Sequence, residues 1–251
     1  MPRVLRTVIP RIKKSLRDRG LVTSICRSFL LPVHLFKEHR AAKALRPHVV
    51  ISEFDRKHGV DTEGGFEGWT YLSDLDIPSP NWIEGNDYLA IGPERFRSAL
   101  ESFNVRFENF TFIDFGSGKG RALLLASGYP FRRILGLEFS PELHRIAQEN
   151  IRRFNFEAQK CSDIESLNVD FTDYELPPEP SVLFFFNPCR ERVLTDVLTR
   201  IGRSLRLSPR PVYIAYVAHT PQQQSLFVSA VFLEKILDNA EFKFSLYRAC
   251  L

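Results

Sequence analysis

Between Phe112 and Arg121 the chain reads Phe-Ile-Asp-Phe-Gly-Ser-Gly-Lys-Gly-Arg. An apolar run carries Asp114 into three glycines at alternate positions, Gly116, Gly118 and Gly120, with Ser117 and Lys119 between them. Glycines so placed allow a tight turn and let a ligand approach the main chain closely. A helix opening at Arg121 adds unpaired N–H donors at its start. Glu138 ends the next apolar run, 22 residues after Gly116, close to the roughly 20 expected of an acid that accepts hydrogen bonds from ribose hydroxyls. Asp170 follows a third run and Asn187 a fourth. An acid at the end of the third strand is placed to receive an adenine amino group. Asp163 competes for that role, but Asp170 sits at the carboxyl edge, where open α/β sheets bind ligands. The Asn187 amide is placed to hold the reactive end of a cofactor or a substrate amine.

Two ligand classes use such a loop. Dinucleotide enzymes prefer G-x-G-x-x-G, which needs glycine at 121, where this chain has Arg121. An acid two residues before the first glycine also suits a ligand carrying an amino group and a sulfonium better than a pyrophosphate. H-E-x-x-H, G-x-S-x-G and the complete P-loop are absent. Cys26, Cys161, Cys189 and Cys250 form no C-x-x-C pair, so a zinc ribbon or thioredoxin-type site has no support and no metal site is expected. Scattered cysteines point to a reducing cytoplasm, and Cys161 and Cys189 read as buried small apolar residues.

These residues need a sheet to hold them. Strands are predicted over 110–115, 133–139, 164–169, 182–186 and 212–217, with helices over 93–103, 121–127, 141–154 and 192–205 between them. Continuous apolar strands alternating with amphipathic helices predict an α/β, Rossmann-like, mostly parallel sheet with helices on both faces. The uncharged run 211–233 carries Pro221-Gln222-Gln223-Gln224 at its centre, too costly to bury in lipid, so no transmembrane helix is expected.

The net charge of +4 in 251 residues is unevenly spread. Residues 1–48 hold twelve Lys/Arg and two acids, a net +10; the rest holds 22 basic and 28 acidic residues, a net −6. Residues 1–48 read as a basic helical N-terminal extension, with an apolar stripe over Leu21–Leu31, that packs on the body, meets an anionic membrane surface or binds nucleic acid. No signal peptide is evident. The body, 49–251, starts with a loop-rich segment, 49–92. There Trp69, Tyr71, Trp82 and Tyr88 are interleaved with Asp74, Asp76, Glu84 and Asp87. We read it as an acceptor-side lid, with Trp69, Trp82 and Tyr88 facing the substrate and the acids favouring a cationic acceptor over nucleic acid. Lys119 and Arg121 read as solvated, and His219 as close enough to the fifth strand end to reach the site.

From Tyr88 to Val217 these residues resemble the class I S-adenosylmethionine-dependent methyltransferases. The match lies in D-x-G-x-G-x-G and the acid ending strand two. The Gly-Ser-Gly-Lys-Gly-Arg loop also looks like that of little-characterised bacterial members whose fourth strand ends Asn-Pro-Phe; here Cys189 replaces the Phe. The resemblance implies a seven-stranded sheet with an antiparallel final hairpin, which 233–237 and 242–247 would supply. It implies S-adenosyl-L-methionine as cofactor, held by Asp114, Gly116, Ser117, Gly118, Gly120, Glu138, Asp170 and Asn187. Asn187 also resembles the first residue of the N-P-P-Y motif of enzymes that methylate planar amino groups, but Cys189-Arg190 replaces Pro-Tyr. The expected function is methyl transfer to an acceptor, an amine or protein lysine among the candidates, with Asn187 at the catalytic position. The alternatives are an inactive cofactor-binding module acting through its basic arm, and an NAD-type oxidoreductase.

Overall fold

Alternate residues of a strand go to opposite faces, so a strand that is apolar throughout must be covered on both. In the computed structural model, which describes residues 52–64, 68–155 and 157–250, the central strands do this. Phe112, Val182, Phe184 and Ala215 join one buried cluster, while Ile113, Phe115, Leu183, Phe185 and Ile214 join another on the opposite face. The N-terminal extension, with its apolar stripe and Cys26, lies outside the described residues.

Among the described residues, α1 (Glu53–His58) and a two-stranded antiparallel pair, β1 (Trp69–Thr70) and β2 (Tyr88–Leu89), precede α2 (Pro93–Glu101). The sheet proper comprises β3 (Thr111–Phe115), β4 (Arg133–Glu138), β5 (Ile164–Asn168), β6 (Ser181–Phe186), β7 (Val212–Val217), β8 (Leu233–Asn239) and β9 (Phe244–Ala249). Its order is β5-β4-β3-β6-β7-β9-β8. The first five strands run parallel, and β9 pairs antiparallel with both β7 and β8. Helices α3 (Arg121–Ala126), α4 (Pro141–Arg153), α5 (Glu191–Leu207) and α6 (Pro221–Ser229) connect them. One face is covered by Phe96, Ala99 and Leu100 of α2 with Ala122, Leu123 and Ala126 of α3. The other is covered by the buried stripe of α5 and by Phe227 of α6.

Sequence expectation and structure differ at the C-terminal end. No element was expected between 218 and 232, yet α6 stands there. A capping box starts it: the Thr220 hydroxyl accepts from the Gln223 N–H at 3.2 Å, and the Gln223 side-chain oxygen accepts from the Thr220 N–H at 2.8 Å. The last strand begins at Phe244 rather than 242, because Asn239 Oδ1 accepts from the Phe242 N–H and the turn passes through Lys243 at φ 53°. Among the described residues, no helix is long and apolar enough to cross a membrane.

Candidate functional site

The loop leaving β3 is where the chain must do what most residues resist. Gly116, Gly118 and Gly120 lie at φ 86°, 54° and 87°, in the left-handed region that glycine enters without steric cost. The loop is tied to β4: the N–H groups of Gly116 and Ser117 both donate to the Leu137 carbonyl, at 2.9 and 3.1 Å. Pro188 packs against Gly116, so a Cβ there would fall 2.8 Å from the Pro188 Cβ. The ends of β3 and β6 are thereby brought together.

Glu138 ends β4 and is 3% exposed. Its two carboxylate oxygens accept from the Gly118 and Ser140 N–H groups, both at 2.8 Å, joining the glycine loop to the start of α4. Burial pushes this carboxyl up to about 7, although the bonds from Ser140 and Gly118 oppose the rise. Asp114 is also 3% exposed. Burial, then the neighbouring Glu138 charge, pushes it up to about 8. Two desolvated carboxyls beside a loop of N–H donors form a place where a cation is favoured.

Asp170 lies just past β5. Its carboxylate accepts from Ser79 Oγ, from Asn81 Nδ2 at 2.9 Å and from both the N–H and hydroxyl of Thr172. Burial alone would raise it, but these bonds outweigh burial and hold it below the ordinary carboxylate value. In this arrangement Asp170 fastens the covering segment, residues 79–83, to the sheet edge. Asn187, just past β6, adopts φ 43° and lines a cavity of about 60 Å³ together with Gly116, Glu138, Asp170, Tyr88 and Cys189.

Tyr88 presses its ring on Gly118, so that a Cβ there would collide with it, and donates its hydroxyl to the Thr62 carbonyl at 2.5 Å. Trp82 packs against the cluster of Leu72, Leu75, Ile77 and Leu143, and Trp69 is 40% exposed in the β1–β2 pair. Neither lines the cavity. The Ser117 hydroxyl turns back towards Gly136 and finds no hydrogen-bond partner among the described residues; Ser117 serves the loop through its main chain. His219 donates to or accepts from Ser245 Oγ at 2.9 Å and stacks on Tyr216, away from the cavity.

Lys119 and Arg121 are a correction to the sequence reading. Neither is solvated: they are 7% and 4% exposed. Arg121 binds Asp55 at 3.2 Å and Glu63 at 2.9 Å, donates its Nε to Thr62 Oγ1, and lies over the Phe54 ring. Lys119 Nζ binds Asp61 Oδ1 at 2.8 Å and donates to the Glu63 carbonyl at 2.6 Å. Asn150 of α4 donates to the Asp61 and Lys119 carbonyls at 2.7 and 2.9 Å. Residues 52–64 thus form a strap over the glycine loop. Sequence reasoning missed this strap and also Asn86 and Gln223, which hold Asn187.

The seven-stranded sheet and its antiparallel final hairpin are those that the sequence resemblance implied. It is a Rossmann-like, mostly parallel sheet with helices on both faces. No protein-family model matches the chain, and no curated protein matches it in sequence. Solved structures similar to it include the 23S rRNA methyltransferase ErmE (14% identity, 65% of this chain and 70% of that one, TM-score 0.45). A ribosomal protein L11 methylase from Lactobacillus delbrueckii subsp. bulgaricus shares 15% identity over 64% of this chain and 81% of its own, with a TM-score of 0.46. An RNA methyltransferase from Salinibacter ruber, in complex with S-adenosyl-L-homocysteine, shares 19% over 64% and 92%, with a TM-score of 0.41.

The two raised carboxyls set a pH dependence. An acid whose folded pKa lies above its unfolded value keeps a proton that the unfolded chain has lost, so stability falls as pH rises from about 4 towards 8. Acids held low, such as Asp170, act in the opposite sense and only at more acidic pH. The melting temperature of the protein alone is expected to fall between pH 6 and 8.5, and a thermal scan across that range checks it.

Proposed function

We propose that the chain is an S-adenosylmethionine-dependent methyltransferase. The observation that carries the reading is the pair Asp114 and Glu138 at the glycine loop. A dinucleotide pyrophosphate would need the loop N–H groups, but the Gly118 N–H is already given to Glu138. An added anion would also meet two buried carboxyls, one of them, Asp114, without a side-chain hydrogen-bond donor among the described residues. A cationic ligand relieves that burden. Glu138 has lone pairs left for a ribose diol, and the positive-φ glycines bring the main chain close to the ligand. The donor set therefore fits the cofactor.

The space does not fit it as the segment now lies. About 60 Å³ is room for roughly two waters, well below the few hundred Å³ of a small-molecule site. Tyr88 and residues 79–87 take the remainder, so they move outward when the cofactor enters.

When bound, the cofactor supplies a methyl group on a sulfonium, open to in-line displacement with a leaving group that needs no proton. The chain's own part is alignment and exclusion of water. Glu138 orients, Asp114 balances charge, the segment 79–89 covers, and Asn187 faces the acceptor. That division of labour explains why no catalytic triad accompanies the site.

Isothermal calorimetry tests the reading. Binding of S-adenosylmethionine or its demethylated product in the micromolar range is expected, tighter at pH 8 than at pH 6 because a cation favours the ionised acids. Binding of NAD with neither of these would sink it. A change in tryptophan fluorescence on adding the demethylated product, lost in Trp82→Phe, would report movement of the covering segment. No change in the wild-type protein would show that the segment stays put.

A further inference from the structure

Three of the four crossovers between the parallel strands contain a helix: α3 between β3 and β4, α4 between β4 and β5, and α5 between β6 and β7. A helix is the usual way to make such a crossover. The fourth, residues 169–180, leads from the edge strand β5 past β4 and β3 to β6 and holds no helix. Phe171, Tyr174 and Leu176 pack on the sheet in its place. They leave a cavity of about 400 Å³, within the range of small-molecule sites.

The walls of this cavity are apolar. Val197 and Ile201 come from α5, Tyr174, Leu176 and Pro178 from the crossover, and Phe115 from the end of β3. Phe171 lines it too, and also lines the smaller cavity beside Asn187. The rim is cationic. Arg200 and Arg203 stand three residues apart on α5, hence on one side of it. Both are exposed, and neither forms an ion pair or hydrogen bond among the described residues. Arg210 is half-buried at the same rim. It donates to the Ser204 and Ser208 carbonyls at 3.3 and 2.6 Å and to Ser204 Oγ at 2.8 Å, while its buried Nε has no partner among the described residues. Burial pulls this guanidinium down from its ordinary value, and the charge of Glu179 opposes the fall. The acids facing the rim are Glu175, which lines it, and Glu179. The arginines outnumber them, although the body as a whole is acidic. From Val197 to Leu233 the chain carries four arginines and no acid.

We propose that this cavity binds an anion with an apolar body, of the fatty-carboxylate class. The apolar chain enters between α5 and the crossover, and Arg200 and Arg203 hold the carboxylate at the mouth. The fork of a guanidinium matches a carboxylate, and Leu207, 77% exposed at the mouth, gains cover. Charge argues against another occupant. Residues 1–48 carry an apolar stripe that would suit the walls, but at a net +10 they would bring cations to a cationic mouth. The site needs neither Glu138 nor the glycine loop, so it stands or falls apart from the methyltransferase reading.

Calorimetry on the full chain at pH 7, with decanoate below its micelle concentration, tests the site. Saturable binding is expected, at least about fivefold tighter than that of decanol, with no measurable binding of decyltrimethylammonium. The double variant Arg200→Gln/Arg203→Gln should weaken decanoate by at least about fivefold and leave decanol binding and the melting temperature unchanged, because both side chains are exposed. Methyl NMR should place the chain: decanoate shifts the signals of Leu176, Val197 and Ile201, and leaves those of Ile134 and Leu246 on the opposite face of the sheet in place. Decanol binding as tightly as decanoate, or a double variant that binds decanoate like wild type, would overturn the proposal. So would the absence of saturable decanoate binding; sedimentation with phosphatidylglycerol vesicles, lost in the double variant, would then assign the arginines to a membrane surface.

Discussion

Replacing Arg121 by methionine is expected to cost about 3–5 kcal/mol of stability, the range seen when one partner of a buried ion pair is removed and the other is left uncompensated. The guanidinium lies between Asp55, itself 3% exposed, and Glu63, and it bonds Thr62 and Ser52 as well. Methionine fills much of the volume but supplies no charge. Asp55 keeps its bonds from the Thr62 and Glu63 N–H groups and the Thr62 hydroxyl, at 2.9, 2.8 and 2.5 Å, so it is stranded without being wholly unbonded. Urea unfolding at pH 7 measures the loss. The double variant Arg121→Met/Asp55→Asn should recover at least about 1 kcal/mol of it, since removing both charges avoids burying one alone. A loss under about 0.5 kcal/mol for Arg121→Met would mean the side chain is solvated, as its sequence context suggested.

The strap also bears on the site. Thr62, which Arg121 bonds through its hydroxyl, accepts the Tyr88 hydroxyl on its carbonyl, and Tyr88 covers Gly118. Loosening the strap should therefore weaken the seating of Tyr88 as well as the fold.

What could be read in advance divides along sequence distance. The alternating glycines, the acid two residues before them and the acid ending β4 are local patterns, and each follows from a local requirement: a turn with positive φ, or a strand end at the carboxyl edge. The central strands were legible because a run such as Val182–Phe186 can only be buried on both faces. Arg121 was not legible, because its partners Asp55 and Glu63 stand 66 and 58 residues away in a segment with no periodicity. A basic residue in a first helical turn normally reaches solvent, and nothing local says otherwise. The orientation of Asn187 depends on Asn86 and Gln223, 101 and 36 residues distant; sequence marked the amide but not which of its ends is free. α6 does carry a local signal, since Thr220-Pro221 followed by Gln223 is a capping-box pattern.

The second large effect is expected from Glu138→Ala, which should weaken cofactor binding by about 1–3 kcal/mol, roughly 5- to 150-fold, by leaving ribose hydroxyls unpaired. Its effect on stability is a contest. The Gly118 and Ser140 N–H groups lose their acceptor, and a buried donor left unpaired costs about 1–3 kcal/mol. Against that, alanine removes a carboxyl that burial has pushed up to about 7, and so removes a charge that the folded state disfavours above that pH. The sign follows: wild type loses stability from this group as pH rises from about 4 to 7, the variant does not, and the difference between them narrows with rising pH. Urea unfolding at pH 6 and pH 8 should show the larger gap at pH 6. Glu138→Gln separates the two roles. It keeps one oxygen for one of the N–H groups, sets its own NH₂ against the other, and carries no charge at any pH, so its stability should vary less with pH than that of wild type while cofactor affinity still falls. If Glu138→Ala lowered stability as described but left cofactor Kd unchanged, Glu138 would be a brace for the glycine loop and the ribose would have to be held elsewhere.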